Sequence, residues 1–194
     1  MLSHFIYFVK YLTKLSKNVI IYSEERCCYE IMSDIKNLHI PRWDELPEID
    51  LYMDQVVTLI NSKLVPFIHI DSKDGENQII TKTMINNYVK NNLVEPPEKK
   101  QYSKKQLAKL FAICVLKQVY SLQEIELMID RVTKNTPLEE AYDMFCSLFE
   151  DALLCTYSKK DFIHQSTADD NFYLLKSVLH SCSYKIYVQN MLKG

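Results

Sequence analysis

The stretch TKTMINNYVKNNLVEPPEKKQY, residues 81–102, decides how this chain is read. Thr81 stands where a helix N-cap is expected. Met84, Ile85, Tyr88 and Val89 then recur at helical spacing, with Lys82, Asn86, Asn87 and Lys90 between them. A side-chain oxygen at the cap and a 3.6-residue apolar period predict a short amphipathic helix through about Asn91. Asn92 falls at the first residue past that helix, a place that favours the left-handed conformation; Asn tolerates it where Gly is lacking. Glu95 to Tyr102 contains Pro96 and Pro97, is too short and Pro-rich for a helix, and is expected to form a small β-hairpin. Tyr88 is expected to close the helix onto a core, and Tyr102 to pin the hairpin.

Downstream, three capping boxes predict three helix starts: Ser103 with Gln106, Ser121 with Glu124, and Thr136 with Glu139, the last with Pro137 as the first helical residue. Ser158 with Asp161 and Thr167 with Asp170 are weaker repeats of the signal. Leu174, Leu175, Val178, Leu179, Cys182 and Ile186 describe a long terminal helix. Upstream, Ile49, Tyr52, Met53, Val56, Ile60 and Leu64 mark an amphipathic helix that ends before Pro66. Sixteen residues separate Leu64 from Thr81, far more than the turn of a helix-turn-helix uses. Either residues 65–80 are an insertion, with a strand such as Phe67 to Ile70 and a loop at Asp74 and Gly75, or the first helix of the motif lies elsewhere. The Pro-punctuated connector Pro41 to Pro47 is expected to be anchored by Trp43, and a short helix is expected over Glu24 to Lys36.

Composition removes several function classes. The chain has only two glycines, Gly75 and Gly194, so no Gly-rich loop cradles a phosphate and no dinucleotide fingerprint is present. The six cysteines form no C-x-x-C pair. Cys114, Cys146 and Cys182 sit at apolar positions of helical patterns and are expected to be reduced core thiols. The five histidines are scattered, so neither a metal nor a cofactor is expected. No pair of acidic or histidine residues has a spacing tied to a reaction, and the expectation is a protein that is not an enzyme.

Residues from Met1 to Val9 are apolar and aromatic, but Lys10, Lys14 and Lys17 interrupt them before they could span a bilayer. Three readings remain open for this leader: an amphipathic helix on a membrane surface, a helix packed on the core, or translated upstream sequence ahead of a start at Met32. A cytoplasmic protein without a membrane span is expected.

Charge is distributed unevenly. Between Lys82 and Lys109 seven lysines face two glutamates, a local net of +5 in a chain of net −2, which leaves −7 for the remainder. Positive potential on a short helix, the hairpin after it and the first turn of the next helix suits a phosphate backbone.

The run Met84 to Val94, then Pro96 and Pro97, Lys99 and Lys100, Tyr102, the apolar helix Leu107 to Val119, and Tyr120 to Ile125 resembles the MerR-type winged-helix regulators over about residues 80 to 133. The chain is similar also to a bacterial family of unknown function that carries Pro-Arg-Trp, here Pro41 to Trp43, and Thr-Met-Ile-Asn-Asn-Tyr-Val-Lys, here Thr83 to Lys90. This second likeness runs from about Asp34. The pattern departs from MerR-type proteins at Asn86, where they place an arginine, at Asn92, where they place a glycine, and in a shorter wing.

The first resemblance implies a mostly α protein with a winged helix-turn-helix core, a small β-hairpin wing and a helical C-terminal extension. It implies a sequence-specific DNA-binding transcription regulator whose partner is double-stranded DNA. Asn86 and Asn87 would read bases in the major groove, while Lys82, Lys90, Lys99, Lys100, Lys104 and Lys105 hold phosphates. The expected domains are a leader over 1–33, a winged-helix domain over 34–133, and a dimerisation or sensing region over 134–194. Phe145, Leu148, Phe149 and Leu153 motivate a homodimer through the last helices, with an unknown effector. The competing reading is a protein-interaction module on the same scaffold that uses the same lysines without DNA.

Overall fold

The structure, a computed structural model, describes residue 35 and residues 37–68, 78–160 and 170–193. In chain order it contains a 3₁₀ turn over Trp43–Glu45, strand β1 (Leu51–Tyr52), helices α1 (Met53–Leu64) and α2 (Lys82–Lys90), strand β2 (Gln101–Tyr102), and helices α3 (Lys104–Leu116), α4 (Leu122–Thr133), α5 (Leu138–Tyr157) and α6 (Asp170–Lys193). The fold is mostly helical, with one small antiparallel sheet. The leader 1–33 with its Cys27 and Cys28, the helix expected over Glu24 to Lys36 apart from Ile35, the loop at Asp74 and Gly75, and the Asp161 and Thr167 signals lie outside the described residues.

The helix starts follow the local chemistry. Thr81 Oγ1 accepts from Met84 N at 3.2 Å, Ser121 Oγ from Glu124 N at 3.3 Å, and Ser103 N donates to Gln106 Oε1 at 2.7 Å. At the end of α2, Asn92 adopts φ 58°, Leu93 N donates to Tyr88 O at 3.0 Å and Asn92 N to Val89 O at 3.0 Å. These two bonds form a Schellman motif that satisfies the last carbonyls of the helix. The left-handed residue expected at Asn92 is therefore present.

Three expectations are corrected. Helix α1 begins at Met53 rather than near Ile49, which is 73% exposed. The backbone of Leu51 and Tyr52 is instead taken by the ladder to β2, Leu51 opposite Tyr102 and Tyr52 opposite Gln101, which buries Leu51 and Tyr102 together. The Thr136–Glu139 box does not form. Pro137 is the N-cap rather than the first helical residue, and no side chain caps the helix: its carbonyl accepts the opening bond from Ala141 N at 2.9 Å, which leaves Thr136 one residue too early. Phe67 and Ile68 form no strand, because both amides turn back onto the carbonyl of Leu64 at 3.0 Å.

One hydrophobic cluster runs from Ile35 to Ile186 and takes residues from both sides of position 133. The most extensive helix pairing is α5 with α6. Tyr142, Phe145 and Phe149 stack along one buried face of α5, with centroids 6.5 and 6.3 Å apart. Phe145, Phe149 and Leu153 are thus spent on the chain's own core, so they are not the surface that a second copy could use. Among the described residues no helix is long and apolar enough to cross a membrane.

Pro41, Arg42 and Trp43 join the segment before β1 to α5. The Arg42 guanidinium grips Glu150 with both nitrogens, Nη1 to Oε1 at 2.8 Å and Nη2 to Oε2 at 2.5 Å, and Ile40 N donates to the same carboxylate at 2.7 Å. That fork, its hydrogen bond to Glu150 outweighing the cost of burial, holds Arg42 still more firmly protonated than usual. Tyr142 Oη donates to Pro41 O at 2.9 Å, and Trp43 N donates to Asp143 Oδ1 at 2.6 Å. The Trp43 ring meets Tyr142 edge-on at 6.4 Å, which makes it the anchor that the sequence suggests.

Candidate nucleic-acid interface

Helix α2 separates its two faces cleanly. Ile85 and Tyr88 are buried, while Lys82, Asn86, Asn87 and Lys90 are exposed. Positions 82, 86 and 90 follow one another at i, i+4 and i+8, so they form one stripe along the helix. The carbonyl of Asn87 accepts from Asn91 Nδ2 at 2.7 Å and its Oδ1 from the same group at 3.1 Å. Asn87 is thereby drawn toward the helix end, whereas Asn86 stands in the middle of the exposed stripe. Tyr88 is a core residue, as expected, and its buried hydroxyl has no hydrogen-bond partner. Burial pushes that phenol well above its usual range, so it stays neutral.

A side-chain clamp on α1 returns the chain to α2 after the long gap that follows Leu64. Asn61, near the end of α1, accepts from Ile79 N at 2.8 Å and from Ile80 N at 3.2 Å, and donates to Ile80 O at 2.9 Å. Three bonds from one amide return the chain to the helix it left, immediately before the Thr81 cap. The connection is long in residues, but its two ends meet, and α1 packs against α2. Nothing in the sequence marks Asn61 for this task, since an Asn on a helix surface is ordinary.

The expected hairpin narrows to one bridge, Glu98 with Gln101, closed by Gln101 N donating to Glu98 O at 2.8 Å. Pro96 and Pro97 have no N–H with which to lengthen a ladder, so β2 pairs with β1 instead. At the tip Lys99 has φ 46° and Lys100 φ 66°. Two successive left-handed residues are the signature of a tight I′ turn, usually made by Asn-Gly. For a lysine the conformation costs about 1–2 kcal/mol each. Both lysines at this turn are exposed. Gln106, itself buried, ties the Pro-rich approach down by donating to Glu95 O at 2.8 Å and Pro96 O at 3.1 Å.

The remaining lysines divide. Lys82 is paired with Asp54 on α1, both side chains remaining well exposed. Lys104 is paired with Glu48 and lies over the Trp43 ring at 5.3 Å, its side chain only 14% exposed. Lys105 is exposed. Lys109 pairs with Glu95 at 2.5 Å; partial burial pushes the Glu95 carboxyl up, but the bond and the positive field of Lys109 outweigh it and leave the group below the usual carboxylate range. The structure therefore leaves Asn86, Lys90, Lys99, Lys100 and Lys105 most open to a partner, and commits Lys104 to its own surroundings. The acidic partners Asp54 and Glu48 were missed in the sequence because their neighbours are distant along the chain.

Among the described residues no group of three His, Cys, Asp or Glu side chains is placed to hold a metal. Cys114, Cys146 and Cys182 are buried free thiols; burial pushes Cys146 and Cys182 up to about 12, which keeps them protonated and unreactive.

Compared with known families, residues 41–145 match the one described as Domain of unknown function (DUF1836), a span that opens on Pro41 of the α5 joint and contains the whole of the face just described. No curated protein and no solved structure matches the chain.

Proposed function

The chain belongs to the DUF1836 family, and from that premise we propose that it is a sequence-specific, double-stranded-DNA-binding transcription regulator whose core works as a winged helix-turn-helix. The observation that carries the reading is the exposed stripe of α2, Lys82, Asn86 and Lys90, followed by a strained turn that exposes Lys99 and Lys100. The Asn61 clamp supports it further, because it sets α1 beside α2 despite the long connection. In this reading Asn86, with Asn87 beside it, pairs with an adenine edge in the major groove, and Lys90, Lys99, Lys100 and Lys105 take phosphates. Lys82 reaches a phosphate by exchanging Asp54 for it, a change that costs little at an exposed pair. The chain binds rather than catalyses.

Binding measured over a range of salt tests the reading. Changing Lys99 and Lys100 together to Ala is expected to flatten the slope of log affinity against log salt by about 0.9 for each phosphate no longer neutralised, with sequence preference kept. Asn86→Ala is expected to cost about 1–3 kcal/mol on a selected site and little on unrelated DNA. An unchanged slope in the lysine variant would remove DNA from the turn.

A second reading, a protein-interaction module without DNA, draws on the pairing of Lys82 with Asp54 and Lys104 with Glu48. A face whose lysines are already matched to carboxylates suits a partner that recognises mixed charge. It predicts a complex whose affinity hardly changes with salt. For self-association, Tyr184, Val188 and Leu192 form an exposed stripe at i, i+4 and i+8 on α6, and we place the homodimer interface there. A monomer in sedimentation analysis removes it.

A further inference from the structure

Between α3, α4, α5 and α6 lies a cavity of about 60 Å³ whose surface is almost wholly apolar, with Ala112, Met128, Ile129, Ala141 and Leu175 among its walls and Lys109 and Thr133 at its edge. Its outer wall is shared. Met128, Leu174 and Val178 also line a surface cleft of about 350 Å³ between α4 and α6, whose rim carries Leu127, 69% exposed, and Tyr120. Cavity and cleft therefore adjoin at the same three side chains. Met128, unbranched and adaptable, is the one best able to move aside between them.

The size and lining narrow what fits. An apolar cavity gives water no partners and stays dry, and one of roughly 150 Å³ is enough for benzene. The inner chamber is too small for a ring and suits the end of a slim hydrocarbon chain, while the cleft takes the rest. The polar groups at the rim then decide the head. Glu124 lines the cleft, and its carboxyl is held below the usual range first by the Ser121 N–H and then by the Ser121 hydroxyl, so it is ionised at neutral pH. Lys117 adds to that depression but does not line the cleft. Tyr120 Oη and Ser181 Oγ are already bonded at 2.7 Å, and Ser177 Oγ donates to Tyr173 O at 2.8 Å. The rim thus offers one negative charge and hydroxyl groups that can still accept.

We infer that cavity and cleft together form a binding site for a short alkyl chain that ends in a hydroxyl or an ammonium group. The chain enters between α4 and α6, displaces the Met128 side chain, and leaves its head beside Glu124. The site shares no lining residue with the exposed face of α2 or the Lys99–Lys100 turn and does not depend on the DNA reading.

The test uses the full chain carrying ¹³C-methyl methionine, with the Met128 signal assigned through Met128→Leu. Hexan-1-ol, hexylamine and hexanoate are titrated at pH 7.5. Hexan-1-ol and hexylamine are expected to move the Met128 methyl saturably, and hexanoate to bind about tenfold more weakly through repulsion by Glu124. Glu124→Gln, which keeps the helix cap, is expected to bring hexanoate to within about threefold of hexan-1-ol. Ala112→Leu fills the chamber and should abolish the shift by both ligands. If that variant does not fold, Ile129→Ala enlarges the chamber instead and should tighten hexan-1-ol at least about threefold. Failure of hexan-1-ol to shift Met128, equal binding of hexanoate and hexylamine, or an undiminished shift in folded Ala112→Leu would each overturn the site.

Discussion

The α2 face and the α5–α6 pair are built on opposite principles. Helix α2 is nine residues long, buries only Ile85 and Tyr88, and keeps its polar side chains outward. Helix α5 is twenty residues long, stacks three aromatic rings toward its neighbours, and receives Pro41, Arg42 and Trp43 as a polar lock. One region gives up packing and accepts backbone strain at Lys99 and Lys100; the other accumulates apolar packing and satisfied hydrogen bonds. Strain that persists where the surroundings enforce it points to use, whereas dense packing points to stability. The difference teaches that α2 and its turn are carried by the body rather than holding it together.

The sharpest way to break this contrast is in the aromatic stack. Phe149→Ala is expected to cost about 3–5 kcal/mol, read as a lowered denaturant midpoint, because it opens a void in a fully buried row. A loss below about 1 kcal/mol would mean that α5 and α6 are not the stabilising half. Next comes the lock. Glu150→Ala leaves the Arg42 guanidinium and the Ile40 amide without their acceptor; because both side chains keep some exposure, the expected loss is about 2–3 kcal/mol, under the range for fully buried pairs.

The turn should respond in the other direction. Lys100→Gly relieves a left-handed lysine and is expected to stabilise the fold by about 1 kcal/mol while weakening any salt-dependent binding. A destabilised variant would show that Lys100 holds the turn through its side chain and not in spite of it. The smallest effect belongs to pH. Glu95 has a lowered carboxyl pKa in the fold, so its contribution is present above the unfolded value of about 4.3 and is lost as pH falls through the folded one. Glu95→Gln is therefore expected to lower stability slightly at neutral pH, to leave it unchanged below the folded pKa, and so to flatten the acid limb of the stability curve. An unaltered acid limb would remove the Glu95–Lys109 pair from the account.

Much of the local structure is legible in the sequence because local chemistry decides it. Thr81, Ser103 and Ser121 cap the helices they precede, Asn92 takes the left-handed position, and Cys114, Cys146 and Cys182 fall inside. Where a longer-range competitor exists, the local signal loses. Ile49 and Tyr52 carry a helical spacing, but Leu51 and Tyr52 join β2, a strand some fifty residues away, because the sheet buries Leu51 against Tyr102. Pro137 displaces Thr136 as cap because its fixed φ and its own carbonyl already start the helix.

The candidate site divides in the same manner. The sequence by itself determines which residues of α2 are polar, that Tyr88 faces inward, and that positive charge gathers between Lys82 and Lys109, since periodicity and charge are properties of neighbours along the chain. Only the tertiary structure decides that Asn61 closes the long connection, that Asp54 and Glu48 occupy Lys82 and Lys104, that Lys99 and Lys100 are both left-handed, and that Arg42 is locked to Glu150. The physical reason is that each of these rests on groups brought together across loops or on a backbone conformation against which lysine itself has a preference. Their free energy comes from the assembled fold and leaves no periodic trace in the order of the residues.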